Sequence, residues 1–431
     1  MKNRWWLPFL IVASLLLILI SVYTLRSVIS PQVSYTWQKT FGKVDYPGWV
    51  NWDEAHSIEQ TTDGGYIVAG YTRSSIAHKP SDVYILRLDS KGDLLWEKTF
   101  GGKSSVNAYS IQQTTDGGYI VAGSTTSSST GMADVYILRL DANGILLWEK
   151  TYGRLDWAET AYSIQQTTDG GYILVGCAEG RFEFPLDRDV DIYILKLNYM
   201  GDLFWEKIIG NIDSDEYAYS IQQTTDGGYI VAGSTTSSST GMADVYILRL
   251  DANGILLWEK TYGRLDWAET AYSIQQTTDG GYVVAGSRMS HDSEEGKDTY
   301  ILKLDSKGDL IWEKTFDFRW EDTLYSIQQT TDGGYIAAGY TLVLLGTPEM
   351  YILRLDSRGG LLWQRTFSGD GWSIARSIQQ ATDGGYVVAG YTAPLKGGPP
   401  DVHILKLNSR GETLQNRGTE SGPNLNYTFY I

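Results

Sequence analysis

The sequence predicts an all-β fold: a seven-bladed β-propeller of four-stranded antiparallel blades, closed by an N-terminal strand and preceded by one transmembrane helix. Three observations predict it. A unit of about 50 residues returns seven times, the period expected of propeller blades. Each copy contains four short β-compatible runs joined by turn residues, and none contains a helical period. An uncharged apolar run stands near the start of the chain.

The apolar run comes first. Lys2 and Arg4 precede WWLPFLIVASLLLILISVY, residues 5–23. As a helix this run would rise about 28 Å, close to the hydrocarbon thickness of a bilayer. The positive charges before it outnumber Arg26, which keeps residues 1–4 in the cytoplasm and sends the remainder outward. Residues 5–24 are therefore read as a signal anchor in the cell membrane, 25–34 as a linker, 35–411 as the propeller and 412–431 as a tail. Cleavage of the leader is the alternative. Signal-peptide cores are usually shorter, about 7–15 residues, and end at a small-x-small site, whereas TLRSVISPQ follows here. Either way residue 35 onward is exported.

The repeat is marked by Asp-Gly-Gly, beginning at Asp63, Asp116, Asp169, Asp226, Asp279, Asp332 and Asp383. Residues 108–172 recur letter for letter at 218–282. Within a copy, AYSIQQT is a first strand, and the glycines of TDGG supply the positive φ of a tight hairpin. YIVAG is a second strand, VYILRL a third, and a D-x-x-G turn leads into the fourth, LLWEKTF. Repeated radially, such a unit is a propeller blade.

Closure follows from an offset. The outer-strand W-[EQ]-[KR] motif occurs at Trp37, Trp96, Trp148, Trp205, Trp258, Trp312 and Trp363. The first precedes every Asp-Gly-Gly, and none follows the last. A strand near Tyr35–Gly42 thus completes the final blade, and the ring loses its exposed edge. Each repeated Trp reads as a wedge between neighbouring sheets. The Asp of Asp-Gly-Gly reads as turn chemistry.

Composition closes several functional classes. Cys177 is the only cysteine, so there is no intrachain disulfide and no cysteine-based structural zinc site. A formal charge of -16, from 35 Lys plus Arg against 51 Asp plus Glu, argues against a nucleic-acid partner. His56, His78, His291 and His403 fall in four blades without a shared spacing, so no catalytic triad or metal cluster is legible. No cofactor and no metal are expected.

The segment L-D-A-N-G-I-L-L-W, with Asp141, Gly144 and Trp148, resembles the tryptophan-docking turn of quinoprotein-type propellers, one residue shorter and without their adjacent cysteine pair. The whole unit resembles the DGGYIVAG-type β-propeller repeat proteins of bacteria and archaea. That resemblance covers about residues 35–411, because every copy keeps D-G-G and Y-I-L-x-L, the last as H-I-L-K-L. It implies an exported location and a shape, not a reaction.

Both kinds of Gly turn must share one face, which leaves the variable loops on the other. Loops on a rigid scaffold are the usual seat of binding. The blade-to-blade loops combine acids with aromatics: Trp49, Trp52 and Asp53; Asp156, Trp157 and Glu159; Asp266, Trp267 and Glu269; Trp320 and Glu321; Asp370 and Trp372. Such pairs suit sugar rings, which stack on aromatics while hydroxyls bond to acids, and they suit cationic side chains too. They suit equally a second set of wedges between blades. The expected function is a membrane-anchored extracytoplasmic module that binds carbohydrate or a surface protein. A glycosidase-like hydrolase using loop carboxylates and a structural envelope scaffold are the alternatives.

Overall fold

The computed structural model of the chain describes residues 36–45, 49–74, 79–126, 131–180, 190–211, 213–237, 241–264, 266–290, 296–318, 321–343, 346–368 and 371–413. The expected anchor, the linker and all but the first two residues of the tail lie outside them. Among the described residues there is no helix, so none is long and apolar enough to cross a membrane.

Seven four-stranded antiparallel sheets form the ring. Blade 3 shows the pattern, with Trp157–Gln166 innermost, then Tyr172–Gly180, Val190–Leu197 and Leu203–Ile209 outermost. In blade 7 the strands Gly371–Gln380, Tyr386–Pro394 and Asp401–Leu407 take Trp37–Phe41 as their outer strand. Trp37 pairs with Lys406 and Phe41 with Val402, antiparallel. The N-terminal closure expected from the offset of the motifs is present.

Each innermost strand is longer than AYSIQQT. In blade 3 it starts at Trp157, four residues before Ala161, and takes up positions expected to be loop. The extension carries a β-bulge. Pairing slips between Ala161 and Ser163, leaving Tyr162 unpaired. The bulged strand presses on the second strand at Gly176, where a Cβ would run into the Thr160 carbonyl oxygen. That contact explains the Gly at this place in all seven copies.

The letters S-I-Q-Q become two circles of hydrogen bonds around the axis. Ser110 Oγ accepts the Ile164 N–H of the next blade at 3.2 Å, and Gln112 Oε1 accepts the Gln166 N–H at 2.6 Å. Gln166 Oε1 in turn accepts the Thr115 N–H at 2.8 Å. The circle closes between blades 7 and 1, where Gln379 Oε1 accepts the Gln60 N–H at 2.6 Å and Gln60 Oε1 accepts the Thr382 N–H at 2.8 Å.

The Asp-Gly-Gly turn is held as expected and by more than turn chemistry. Asp63 accepts the Thr61 hydroxyl at 2.6 Å and the Gly65 N–H at 3.1 Å. The buried Arg87 on the third strand adds an ion pair at 2.5 Å and reaches the Tyr119 hydroxyl of blade 2 at 3.0 Å. These contacts outweigh burial and hold the Asp63 carboxyl below its usual range. Each outer-strand Trp packs on the next blade: Trp148 meets Tyr172's neighbour-facing ring at 6.1 Å and covers Gly201 of the Asn198–Gly201 turn, where Asn replaces the Asp of the repeat. Ile173, Val175, Ile192 and Ile194 bury against Ala218, Ile221 and Tyr229, and an equivalent apolar layer lies in every other blade interface.

Candidate functional site

Two features of the variable-loop side bear on function, the rim and the channel. At the rim, the acids and the aromatics of the blade-to-blade loops separate. Asp53, Glu159 and Glu269 are fully buried. Each faces inward and holds its own loop: Asp53 accepts the Lys43 N–H at 2.5 Å, and Glu159 accepts the Arg154 N–H at 3.1 Å. Glu269 accepts a bond from Arg288 Nε at 2.9 Å. Glu216 and Asp322 do the same work in blades 4 and 6, taking the N–H groups of Asn211 and Phe318 at 3.2 and 2.6 Å. Burial pushes the carboxyls of Glu159 and Asp53 up, to about 7 and about 6. Glu321 is partly exposed and accepts the Tyr340 hydroxyl at 2.7 Å.

The aromatics stay partly open. Trp52 is 37% exposed, with Arg73 over its ring at 5.1 Å. Trp157 and Trp267 are half-buried; Arg154 lies 5.6 Å from the first ring and Arg288 5.5 Å from the second. Trp372 meets Tyr391 edge-on at 5.6 Å. Asp156 and Asp266, each immediately before a Trp, are exposed and left-handed, with φ of 70° and 82°. Only the backbone of Trp49 is described, paired with Asp45. Trp320 and Asp370 lie outside the described residues. Blade 2 departs from the pattern: Val106 stands where the other loops put an acid or Ser373, and a cavity of about 350 Å³ opens there, lined in part by Lys103, Glu149 and Lys150.

The channel is lined at mid-depth by the bulge residues, in chain order His56, Tyr109, Tyr162, Tyr219, Tyr272, Tyr325 and Arg376. Successive tyrosine rings are 5.4, 5.4, 5.1 and 5.1 Å apart, with interplanar angles of 52, 47, 52 and 61°. These angles are close to a seventh of a full turn, so the rings stand parallel to the axis. Towards the Asp-Gly-Gly face the channel ends in a basin of about 240 Å³ walled by Ile and Gln side chains such as Ile164 and Gln165.

The sevenfold pattern breaks in one sector, at blades 6, 7 and 1. The residue after the second-strand Gly is Ser124, Cys177, Ser234 and Ser287 in blades 2 to 5, but Tyr340, Tyr391 and Tyr71 in blades 6, 7 and 1. Arg376 and His56 replace Tyr in the collar, and Glu54 occupies a position held elsewhere by Asn, Thr, Tyr or Ile. Arg376 lies over Tyr325 at 4.2 Å, and its Nη2 donates to the Tyr391 hydroxyl at 3.0 Å. Its Nε is buried without a partner. His56 stacks on Tyr71 at 5.6 Å, and its Nε2 stands 3.7 Å from Glu54 Oε2, beyond hydrogen-bond reach. Burial and the Arg376 charge depress the His56 pKa. Burial alone would raise Glu54, but its contacts with His56 and Tyr71 and the charge of Arg376 hold it below the usual range. Burial opposes the charge on Arg376, yet Tyr391, Tyr325 and Glu54 raise its pKa.

Loop composition drew attention to the rim and missed this sector. The signal was present as departures from A-Y-S-I-Q-Q: Ala-His-Ser at 55–57, Ala-Arg-Ser at 375–377, and Glu59 where every other copy has Gln. Cys177 is buried and its thiol is pushed up to about 12 by burial, which keeps it protonated and unreactive. Among the described residues no group of three His, Cys, Asp or Glu stands close enough to hold a metal ion.

No family model matches the chain, and no curated protein matches it. Among solved structures, Sqt1 from Chaetomium thermophilum is 12% identical with a TM-score of 0.47, over 84% of this chain and 86% of that one. A puromycin hydrolase mutant complexed with PGG is 12% identical with a TM-score of 0.49, over 79% of this chain and 50% of that one. The acylaminoacyl peptidase of Pyrococcus horikoshii is 13% identical with a TM-score of 0.45, over 82% and 52%. The chain thus spans about half the length of the last two, and the likeness says nothing of activity.

Proposed function

We propose that the chain is a membrane-anchored extracytoplasmic binding module of the DGGYIVAG-repeat type, which takes a carbohydrate or a surface protein on its variable-loop face. One observation carries the reading. Each docking tryptophan covers a turn glycine of the next blade, whereas Trp52 is exposed and Trp157, Trp267 and Trp372, without such a glycine beneath them, keep part of their rings open on the rim. Arginines beside three of them hold the rings in place, so little rotamer freedom is left to lose on binding.

The hydrolase reading needs loop carboxylates open to a substrate. Asp53, Glu159 and Glu269 are turned into the loops they brace, which leaves Asp156 and Asp266 exposed, one each in blades 3 and 5, and Glu321 partly so.

The location rests on the apolar run of residues 5–23 and gains support from the opposite face. Beside the D-x-x-G turns, Leu95, Leu147, Phe204, Leu257, Ile311 and Leu362 are exposed by 55–71%, one on each of six blades. The described chain enters the ring at this same end, at Trp37. A bilayer on this side would cover that belt and leave the variable loops pointing outward.

The test is a glycan and surface-protein array probed with the full-length chain. Trp157→Ala and Trp267→Ala should abolish the signal in chains that still show a cooperative melting transition. No captured ligand, or variants that change only stability, would leave the rim a structural feature.

A further inference from the structure

The seven blades supply an internal control for what packing demands. At the bulge, one backbone geometry recurs around the ring, and Tyr satisfies it in five blades. The fold therefore does not require Arg376 or His56, nor Glu54, whose place other blades fill with Asn, Thr, Tyr or Ile. Their chemistry is of a different kind from the rim, and it lies within the bore.

We propose that the sector of the channel at blades 7 and 1 binds a small zwitterion, a molecule carrying a carboxylate and an ammonium group close together, as free amino acids and betaines do. This goes beyond the rim-binding reading and does not depend on which macromolecule the rim holds.

Arg376 supplies the carboxylate position. Its guanidinium lies on the face of Tyr325 at 4.2 Å and spends Nη2 on the Tyr391 hydroxyl at 3.0 Å. Nε is buried and unpartnered, so one N–H donor of the guanidinium remains for an oxyanion. Glu54 supplies the ammonium position. Its side chain is 12% exposed and only 3.7 Å from His56 Nε2. The Tyr71 ring stacks on that imidazole at 5.6 Å and the Tyr109 ring meets it edge-on at 5.2 Å, so the wall beside the ammonium position is aromatic.

The two charges feel one another but do not meet. Arg376 and Glu54 each perturb the other's ionisation, yet no ion pair joins them. Burial and the Arg376 charge lower the His56 pKa, and Arg376 and Glu54 stand in the sector as one positive and one negative pole. A carboxylate without an ammonium group leaves the Glu54 charge opposing it, and an ammonium without a carboxylate meets Arg376. Selectivity then arises from repulsion as much as from attraction. The ligand's charge also fits the whole chain. At a net charge of -16 a polyanion is repelled at long range, whereas a zwitterion is not.

The experiment is calorimetric titration of the full-length chain with glycine betaine and L-phenylalanine, alongside phenylacetate and phenethylamine, which carry one charge each. At least one zwitterion should bind at least tenfold more tightly than either singly charged probe. Arg376→Gln and Glu54→Gln should each weaken it at least tenfold, while Trp157→Ala leaves it unchanged. Arg376→Tyr restores the residue that five other blades use, so it retains the fold and should abolish the heat of binding. Equal affinity for phenylacetate and L-phenylalanine, undiminished binding by Arg376→Tyr, or no heat with any zwitterion from a chain with an intact melting transition would each overturn the proposal. Failure of the array alone, with zwitterion binding retained, would count against the rim and not against the channel.

Discussion

Trp37 meets Tyr66 edge-on, with ring centres 5.8 Å apart and planes at 70°, although one belongs to the strand that completes blade 7 and the other to the second strand of blade 1. The same indole covers Gly92, so the closing strand docks on the following blade as every other outer strand does.

Replacing that ring tests closure directly. Trp37→Ala removes a large half-buried aromatic and should lower stability by about 3–5 kcal/mol, the usual cost for losing such a ring. Trp96→Ala, which empties the equivalent place between blades 1 and 2, should cost a similar amount. Hydrogen exchange separates them. Only Trp37→Ala should speed exchange selectively in Asp401–Leu407, whose partner strand is then held by its backbone bonds, Phe41 and the Lys39–Asp93 pair. Identical exchange patterns for the two variants would mean that the N-terminal strand is no special clasp.

Much of this was legible because a repeat exposes its own rules. Seven Asp-Gly-Gly turns and one displaced Trp motif sufficed for the blade count and the closing strand. The length of the inner strand was not legible, since Trp157–Thr160 read as loop until the bulge at Tyr162 and the partner Gly176 made a longer ladder possible. The acids of the rim misled for a related reason. Composition reports that Glu159 sits near Trp157, and the strand's period of two puts both on one side; depth separates them, because Glu159 lies farther in and is buried under the loop it braces while Trp157 stands at the strand's outer end. The channel sector depends on which residue each bulge turns inward, and a bulge shifts the alternation that a sequence pattern relies on.

Glu59 makes the Gln circle sensitive to pH. It is the one acid in that circle, and it accepts the Gln113 N–H at 2.5 Å as Gln112 accepts that of Gln166. Burial raises its pKa from 4.5 to about 7, against the pull of that hydrogen bond. Between those values the folded chain holds more proton than the unfolded one. Stability from this group is therefore full below pH 4.5 and is lost as pH rises through 7, by about 1–3 kcal/mol. Glu59→Gln restores the residue of the other blades, keeps the acceptor and removes the titration. The variant should melt with the parent at pH 5 and above it at pH 8. Parallel melting curves across that range would show that the carboxyl is solvated.

His403 acts in the opposite direction. It stands where the other blades carry Tyr, and the nearest analogue, Tyr351 in blade 6, donates to Gln364 at 2.8 Å. His403 is fully buried and both ring nitrogens lack partners. Burial lowers its pKa from 6.5 to about 4. Here the unfolded chain binds the extra proton first, so stability is full above pH 6.5 and drains as pH falls through 4, by about 2–3 kcal/mol. In His403→Tyr the register sets Gln38 where Gln364 serves Tyr351, since Leu405 pairs with Gln38 as Leu353 pairs with Gln364. The variant should lose this acid sensitivity, and its melting temperature should exceed that of the parent by more at pH 4.5 than at pH 7. Because His403 lies on the strand that receives Trp37–Phe41, the parent's early acid transition should appear as exchange in blade 7 before the other blades open. Simultaneous opening of all blades in acid, unchanged by His403→Tyr, would locate the sensitive group elsewhere.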